Sequence, residues 1–77
     1  MNLLENLNKL HTTEHWIQRI KRNLSLKTDD VISWCKNRIS SHQAKIRKQW
    51  KNFYVQFENF IFTINSYSFT IITAHKI

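Results

Sequence analysis

Apolar residues recur at helical spacing through the first part of the chain. They lie three or four positions apart within 3–10 and again from Trp16 to Leu24, so each segment predicts a helix with one apolar side. Thr12 or Thr13 is expected to begin the second helix, because a hydroxyl there can accept a hydrogen bond from a free amide. The predicted apolar stripe of this helix consists of Trp16, Ile17, Ile20 and Leu24.

A third helix is expected after Thr28. The hydroxyl of Thr28 can cap free amides, and Asp29 and Asp30 would meet the positive end of the helix dipole. The residues predicted to point inward from this helix are Val31, Ile32, Cys35 and Ile39.

From about residue 42 the pattern changes to alternation, with aromatic and β-branched residues in excess. Strands are predicted at 44–49, 52–58, 60–65 and 68–75. The short links between them predict antiparallel neighbours. The expected fold is therefore α+β. One domain, 1–77, would have two to three helices in 1–41 packed on a four-stranded antiparallel meander in 42–77.

One face of this sheet is the predicted seat of the helices, and its last two strands would place Phe62, Ile64, Phe69 and Ile71 there. Strict alternation along the last strand puts His75 on the same face. The same alternation assigns Ala74 and Lys76 to the opposite face.

The charge favours a polyanionic partner. The 77 residues carry twelve Lys and Arg against five acids, a formal charge of +7, which is typical of proteins that bind nucleic acid or an acidic surface. A chain of this length buries a small core, so a homodimer is one expectation. The single Cys35 cannot form an internal disulfide, and the sequence has neither a secretory signal nor a membrane-spanning run. A cytoplasmic protein without membrane attachment is expected.

The segment from Lys45 to Tyr54 interleaves cations with aromatic rings. Cations can hold phosphates while rings stack on unpaired bases, so this segment predicts a single-strand nucleic-acid surface. The predicted nucleic-acid-binding residues are Arg47, Lys48, Trp50, Lys51 and Lys76. The alternative is a solvated hairpin whose charges only protect a sheet edge from aggregation.

His75 is the predicted proton carrier of a metal-free RNA cleavage. Such a reaction needs an acceptor for the 2′-hydroxyl proton, a donor to the leaving oxygen and cations beside the phosphate. Tyr54 and Arg19 complete the predicted catalytic set with His75. The alternative is that His75 simply fits at the end of a strand.

Neither a metal nor another cofactor is expected. His11 and His15 are four residues apart, but the helix start expected at Thr12 falls between them and would splay the pair. Cys35 is expected in the core of the third helix, since no paired histidine and carboxylate marks it as a nucleophile.

Several segments resemble a family of short bacterial and phage proteins known only as a domain of unknown function. They are "LHTTE" at 10–14, "DDVISWCKNRI" at 29–39, "KNFYV" at 51–55 and "TINSYSFTIITAHK" at 63–76. The sequence departs from the family pattern at Gln49 and Trp50, where a glycine-containing turn would be expected. The layout is also similar to the RelE-type, colicin D and barnase group of small ribonucleases. That second resemblance implies His75 as acid or base and Arg47, Lys48 and Lys51 as phosphate binders, with Arg19 and His11 approaching from the helices.

Two classes of function fit these observations. The first is a small basic RNA-binding protein that acts as a metal-independent endoribonuclease of toxin type, with a neutralising protein partner. The second is a noncatalytic phage or mobile-element protein that inhibits a host nucleoprotein, as an anti-CRISPR inhibitor does. A dimeric scaffold with an aromatic interface is a third, plainer hypothesis.

Overall fold

The computed structural model describes residues 3–28 and 30–77 and has the predicted order of helices followed by strands. A short 3₁₀ helix, Leu4–Lys9, precedes two α-helices, α1 (Glu14–Leu24) and α2 (Val31–Ile39). Four strands follow: β1 (Lys45–Gln49), β2 (Asn52–Phe57), β3 (Phe60–Asn65) and β4 (Ile71–Lys76). The predicted α+β class is confirmed. Of the three residues expected at the third helix start, Asp29 lies outside the described residues.

A side-chain cap begins α1 at Thr13, as predicted, whereas α2 is capped by Asp30 and not by the predicted Thr28, whose hydroxyl accepts the backbone N–H of Asp30 at 3.2 Å. Thr13 Oγ1 accepts the backbone N–H of Trp16 at 3.3 Å, and Asp30 Oδ1 accepts that of Ser33 at 3.1 Å. These bonds satisfy amides that have no partner within the helix. α1 ends at Leu24, and the next residue, Ser25, has a left-handed φ of 56° in a position that glycine usually occupies.

The sheet is a simple meander in which each strand pairs antiparallel with the next, in the order β1-β2-β3-β4. β1 and β4 are therefore the edges. The edge of β4 is covered by the chain around α1, because Thr12 Oγ1 donates to the carbonyl of Ile71 at 2.8 Å and Asn23 Nδ2 donates to that of Ala74 at 3.2 Å. β1 differs from β4, since all five of its residues are exposed.

One core lies between the helices and one face of the sheet. The helices contribute the buried residues Ile20, Leu24, Val31, Cys35 and Ile39. The sheet and the turn before β4 contribute Phe53, Val55, Phe62, Ile64, Phe69, Ile71 and Ala74. This arrangement confirms the predicted seat of the helices and the inward side of α2. In α1, Ile20 and Leu24 are buried, whereas Trp16 of the predicted stripe is only half-buried, with its ring beside Arg19. With Leu3 and Leu10, the buried apolar residues number 14 among residues 3–28 and 30–77, which is a small core.

The predicted position of His75 on the helix-bearing face is wrong. Thr63 pairs with Thr73 but Ile64 pairs with Ile71, so Ile72 is an extra residue, a β-bulge, in β4. Each residue after the bulge is shifted by one position relative to β3, which reverses the face it occupies. Ala74 is accordingly fully buried opposite Phe62.

The same shift determines where His75 lies and also corrects the predicted face of Lys76. His75 lies opposite Ile61, on the face away from the helices. Lys76 lies opposite Phe60, on the helix side, although its side chain is exposed at the end of the strand.

Candidate nucleic-acid interface

Three of the predicted site residues, Arg47, Tyr54 and His75, share the sheet face turned away from the helices. We call it the outer face. Two rows of residues, paired across the strands, form its centre. One row consists of Arg47, Tyr54, Thr63 and Thr73, and the other of Lys45, Gln56, Ile61 and His75. Both α-helices pack on the opposite side of the sheet, so this face is open to a ligand.

A shallow open cavity lies on the β1 side of the outer face. Its volume is about 240 Å³, and it is lined by Lys45, Ile46, Arg47, Tyr54, Gln56 and Ile61. Tyr54 is half-buried on β2 and pairs with Arg47 of β1 on one side and with Thr63 of β3 on the other. Its hydroxyl oxygen accepts a hydrogen bond from Asn52 Nδ2 at 3.4 Å. The strands therefore hold one aromatic ring beside two exposed cations.

The strands around this cavity carry cations and no acids. None of the four strands contains Asp or Glu, and Glu58, in the β2–β3 turn, is the one acid in the sequence after Asp30. Lys45 and Arg47 on the outer face thus have no acidic strand neighbour to neutralise them. A surface of this kind attracts anions, and attraction to a polyanion falls with salt.

His75 shares the outer face with Tyr54 but lies apart from it. It is exposed on the edge strand β4, two strands across and two residues along from Tyr54. Strand spacing puts their backbones about 12 Å apart, and it puts His75 about 14 Å from Lys45. A general acid and a general base on one phosphate must each reach hydrogen-bond distance of it. His75 and Tyr54 thus share the outer face with β3 between their strands, and a phosphate common to both would have to lie between the two side chains.

Arg19 lies in the helix layer. It is exposed on α1, one turn before Asn23, whose side chain bonds the edge of β4. Its guanidinium carbon is 5.3 Å from the centre of the Trp16 ring. Arg19 thus lies along the edge of the sheet, whereas the other predicted catalytic residues, His75 and Tyr54, are on the outer face.

Two of the predicted phosphate binders point to the helix side of the sheet. Lys48 pairs with the buried Phe53, and Lys76 pairs with Phe60 at the other end of the sheet. Both lysines are exposed. Because side chains alternate between faces, they lie on a different surface from Arg47.

Trp50 and Lys51 form the two-residue turn between β1 and β2, since Gln49 pairs with Asn52. Trp50 is 86% exposed and has a φ of 60°, a conformation in which glycine is usual. The chain therefore holds a large ring in water on a strained turn. The Lys51 carbonyl accepts the backbone N–H of Ser66 at 2.6 Å, which joins this turn to the turn before β4.

The turn before β4 carries a second exposed ring that sequence reasoning missed. Tyr67 is 75% exposed and directly follows Ser66. Asn65 Oδ1 fixes this turn by accepting the backbone N–H groups of Tyr67 and Ser68 at 2.9 and 3.0 Å. The sequence does contain a signal for this exposure. The run Asn-Ser-Tyr-Ser is typical of a polar turn, and a tyrosine within such a turn is expected in solvent.

His11 is also part of an arrangement that the sequence did not indicate. Its Nδ1 is 2.9 Å from the carbonyl of Lys9, and its Nε2 is 3.1 Å from Thr70 Oγ1. Thr70 Oγ1 is in turn 2.7 Å from Ser68 Oγ. His11 and Thr70 are 59 residues apart, a separation at which local periodicity carries no information. The exposed imidazole is thus held in a fixed orientation beside two hydroxyls.

Cys35 is unsuited to nucleophilic chemistry. It is fully buried in α2, and burial raises the pKa of its thiol to about 12 from an ordinary 9.0. Throughout 3–28 and 30–77, no group of three or more His, Cys, Asp and Glu side chains is arranged to hold a metal ion. In the same part of the chain, no helix has the length and apolar character required to cross a bilayer.

Comparison with known families connects the chain to one of them. The family described as "Protein of unknown function (DUF3781)" matches residues 4–75. The chain belongs to this family. The sequence resemblance to a family without an assigned activity is therefore confirmed, and it covers almost the whole chain.

Other comparisons add no relative. No solved structure matches the chain at the significance threshold, so the resemblance in layout to RelE-type, colicin D and barnase-type ribonucleases is not confirmed. No curated protein matches at that threshold either.

Proposed function

We propose that this protein binds single-stranded RNA across the outer face of its sheet. The observation that carries the proposal is the open cavity in which the Tyr54 ring lies beside Arg47 and Lys45. An aromatic ring on an open antiparallel sheet can stack on an unpaired base while neighbouring cations hold its phosphates. Tyr54 and the two cations supply both kinds of contact within one small area.

Single-stranded RNA fits this surface better than a duplex does. The bases of a duplex are stacked on one another and present no free ring face, so a duplex would use the cations alone. Tyr54 is half-buried and rigidly placed on β2, which lowers the entropy cost of stacking a base on it. The proposal implies a location where RNA is present, which agrees with the cytoplasmic expectation.

The test is binding of a labelled oligouridine, followed by fluorescence anisotropy at several salt concentrations. Arg47→Ala is expected to weaken binding about tenfold, and loss of one phosphate contact should reduce the salt slope by about 0.7. Lys27→Ala removes the same charge from an exposed position in the α1–α2 connection and is the matched control. Equal effects of both substitutions would mean that net charge, and not the outer face, governs binding.

RNA cleavage is a second candidate function, favoured by the exposed imidazole of His75 on the same face as Lys45. In this reaction the ribose 2′-hydroxyl gives its proton to a general base as its oxygen bonds to phosphorus, the bond from phosphorus to the 5′-oxygen of the next nucleotide breaks, and that oxygen takes a proton from a general acid; His75 would serve as one of these two groups. RNA should then be cleaved in EDTA, leaving 2′,3′-cyclic phosphate ends. His75→Ala should abolish cleavage, whereas His42→Ala, at an exposed position before β1, should not. His11→Ala tests the other fixed imidazole in the same assay.

Binding without cleavage is favoured by the separation of about 12 Å between the backbones of His75 and Tyr54, because the register does not set the two side chains next to each other as an acid–base pair. In that case the protein would occupy an RNA or a host nucleoprotein and block it, as a phage-encoded inhibitor does. Expression in bacteria distinguishes the two. A toxin should slow growth, and His75→Ala should relieve the effect. A toxin also requires a neutralising partner, which would be recovered as a gene whose co-expression restores growth.

The monomer is the proposed RNA-binding unit. β1 is an exposed edge that a second copy could pair with, but three of its five residues are cations, namely Lys45, Arg47 and Lys48. Two copies of β1 side by side would bring these like charges together, which is unfavourable. Sedimentation at low and high salt tests this: a dimer formed through β1 would appear only when salt screens the charges.

A further inference from the structure

The two turns that carry the exposed rings of Trp50 and Tyr67 are joined at one end of the sheet. Ser66 donates its backbone N–H to the Lys51 carbonyl at 2.6 Å, so the β1–β2 turn and the turn before β4 are joined. Trp50 directly precedes Lys51, and Tyr67 directly follows Ser66. The antiparallel spacing of the flanking strands places the backbones of Trp50 and Tyr67 within about 10 Å of each other. We call these four residues the turn end.

Both rings are exposed beyond what the fold requires. Trp50 at 86% and Tyr67 at 75% are the two most exposed large apolar side chains among residues 3–28 and 30–77. Each ring loses hydrophobic stabilisation by remaining in water, and Trp50 also occupies a left-handed conformation. Strain of this kind tends to occur at functional sites.

The turn end is also positively charged. The exposed Lys51 directly follows Trp50, and the exposed Lys48 is two residues before it. The nearest acid in the sequence of either turn is Glu58, at the far end of β2. Five residue steps along β2 separate Lys51 from the row that contains His75, a distance of about 17 Å. The turn end is therefore a site separate from the His75 end of the outer face.

We propose that Trp50 and Tyr67 stack on two neighbouring unpaired bases of single-stranded RNA, with the Lys51 ammonium on the phosphate that joins them. This inference rests on the proposed function and adds a second contact region to it. Stacking on a ring is tolerant of base identity, because every base has a π face. The RNA would thus run from the Tyr54 cavity to the turn end without a sequence requirement at either place.

A base-free probe separates stacking from charge. Two labelled oligomers of equal length are compared, an oligouridine and the same ribose-phosphate chain without bases. Trp50→Leu and Tyr67→Leu retain apolar bulk but remove the ring, and each is expected to weaken oligouridine binding about 5- to 100-fold while leaving the base-free oligomer unaffected. Ile77→Ala, which alters another exposed apolar residue, should change neither affinity and serves as the control.

The outcomes are distinct. Wild-type binding of oligouridine that both ring substitutions leave intact would overturn the stacking site and leave RNA binding by the outer face standing. Equal losses on both oligomers would also overturn it, since stacking cannot act on a chain without bases. Failure of the wild-type protein to bind either oligomer would overturn RNA binding and the stacking site together. Thermal unfolding of each variant accompanies the titrations, and both substituted positions are exposed, so folded protein is expected.

Discussion

His75 lies directly opposite Ile61 on the outer face of the sheet. The bulge at Ile72 produces this pairing, because it shifts the rest of β4 by one residue relative to β3. The histidine is therefore in solvent on the same surface as Arg47, and the small Ala74 takes the buried position opposite Phe62. Proton transfer to a ligand on the outer face becomes geometrically conceivable for His75 only because of this extra residue.

Because of the bulge, we expect larger side chains at Ala74 and at His75 to have different effects on stability. Ala74→Leu should destabilise the protein by about 1–3 kcal/mol, because it forces extra methylenes into a filled core beside Phe62. His75→Leu adds apolar bulk one residue later, on the exposed face, and should change the free energy of unfolding by no more than about 0.5 kcal/mol. Urea unfolding of both variants measures the difference. A larger cost for His75→Leu than for Ala74→Leu would contradict the register.

Much of the fold could be read from the sequence because its signals are local. Thr13 and Asp30 mark helix starts through their own hydroxyl and carboxylate, and the alternating residues of 60–65 identify a strand without reference to any other segment. The bulge is different. Nothing in the run Ile71-Ile72-Thr73 distinguishes an extra residue from regular alternation. Alternation alone therefore assigns the later residues of β4 to the wrong face of the sheet.

The candidate site was less predictable than the fold for a related reason. The cation-rich segment was recognisable by composition, and Arg47 and Tyr54 do pair across neighbouring strands. The contacts of His11 with Thr70 and of Lys51 with Ser66 join residues distant in sequence. Such contacts depend on strand order and on the path of the chain around β4, which residue periodicity does not encode.

A substitution at Trp50 can separate the backbone strain of this residue from its proposed role in RNA binding. An L-residue in the left-handed region costs about 1–2 kcal/mol, while glycine loses about 0.5–1 kcal/mol more conformational entropy on folding than other residues. Trp50→Gly should therefore stabilise the protein, by up to about 1.5 kcal/mol, and at the same time weaken oligouridine binding. Thermal unfolding and anisotropy on the same preparation measure both effects.

The neighbouring residue is the control for this prediction. Lys51 does not have a positive φ, so Lys51→Gly brings only the entropy cost and should destabilise the protein by about 0.5–1 kcal/mol. Stabilisation by both glycines would indicate that the whole turn is strained. Destabilisation by Trp50→Gly would show that the indole makes contacts that outweigh its backbone strain.

Cys35 predicts a loss of stability at alkaline pH. Burial raises the pKa of its thiol to about 12, whereas the unfolded chain releases the proton near 9.0. Between these values the folded state retains a proton that the unfolded state has lost, so the contribution of the protonated thiol is complete below pH 9 and declines as the pH rises toward 12. Cys35→Ala lacks this contribution, and its urea midpoint should fall less steeply with pH than that of the wild type. Parallel curves would contradict the burial of the thiol.

Cys35 should also resist thiol reagents at neutral pH. The thiolate is the reactive form, and both its high pKa and its burial oppose attack. Modification by a disulfide reagent should therefore proceed at the rate at which the protein opens, and it should become fast in denaturant. Rapid modification of the folded protein would show that α2 opens locally.

Asp30 predicts the opposite pH dependence at the acid end. Hydrogen bonds from the backbone N–H and the side chain of Ser33 hold the pKa of this carboxyl below its ordinary 3.8. A lowered pKa means that the carboxylate stabilises the folded state above pH 3.8 and that this stabilisation is lost as the pH falls through the folded-state pKa. Asp30→Asn retains an oxygen that can accept the hydrogen bond from Ser33, so the helix cap should persist. The stabilisation that the wild type loses at low pH should be absent from this variant.

The helical signal in circular dichroism, followed during acid titration, measures this effect. Glu14→Gln removes a carboxylate from the first turn of α1, outside the Asp30 cap, and is the matched control. The acid-induced loss should remain in Glu14→Gln and diminish in Asp30→Asn. If the two variants respond alike, the charge of Asp30 has no special role, and the start of α2 depends on the geometry of the cap alone.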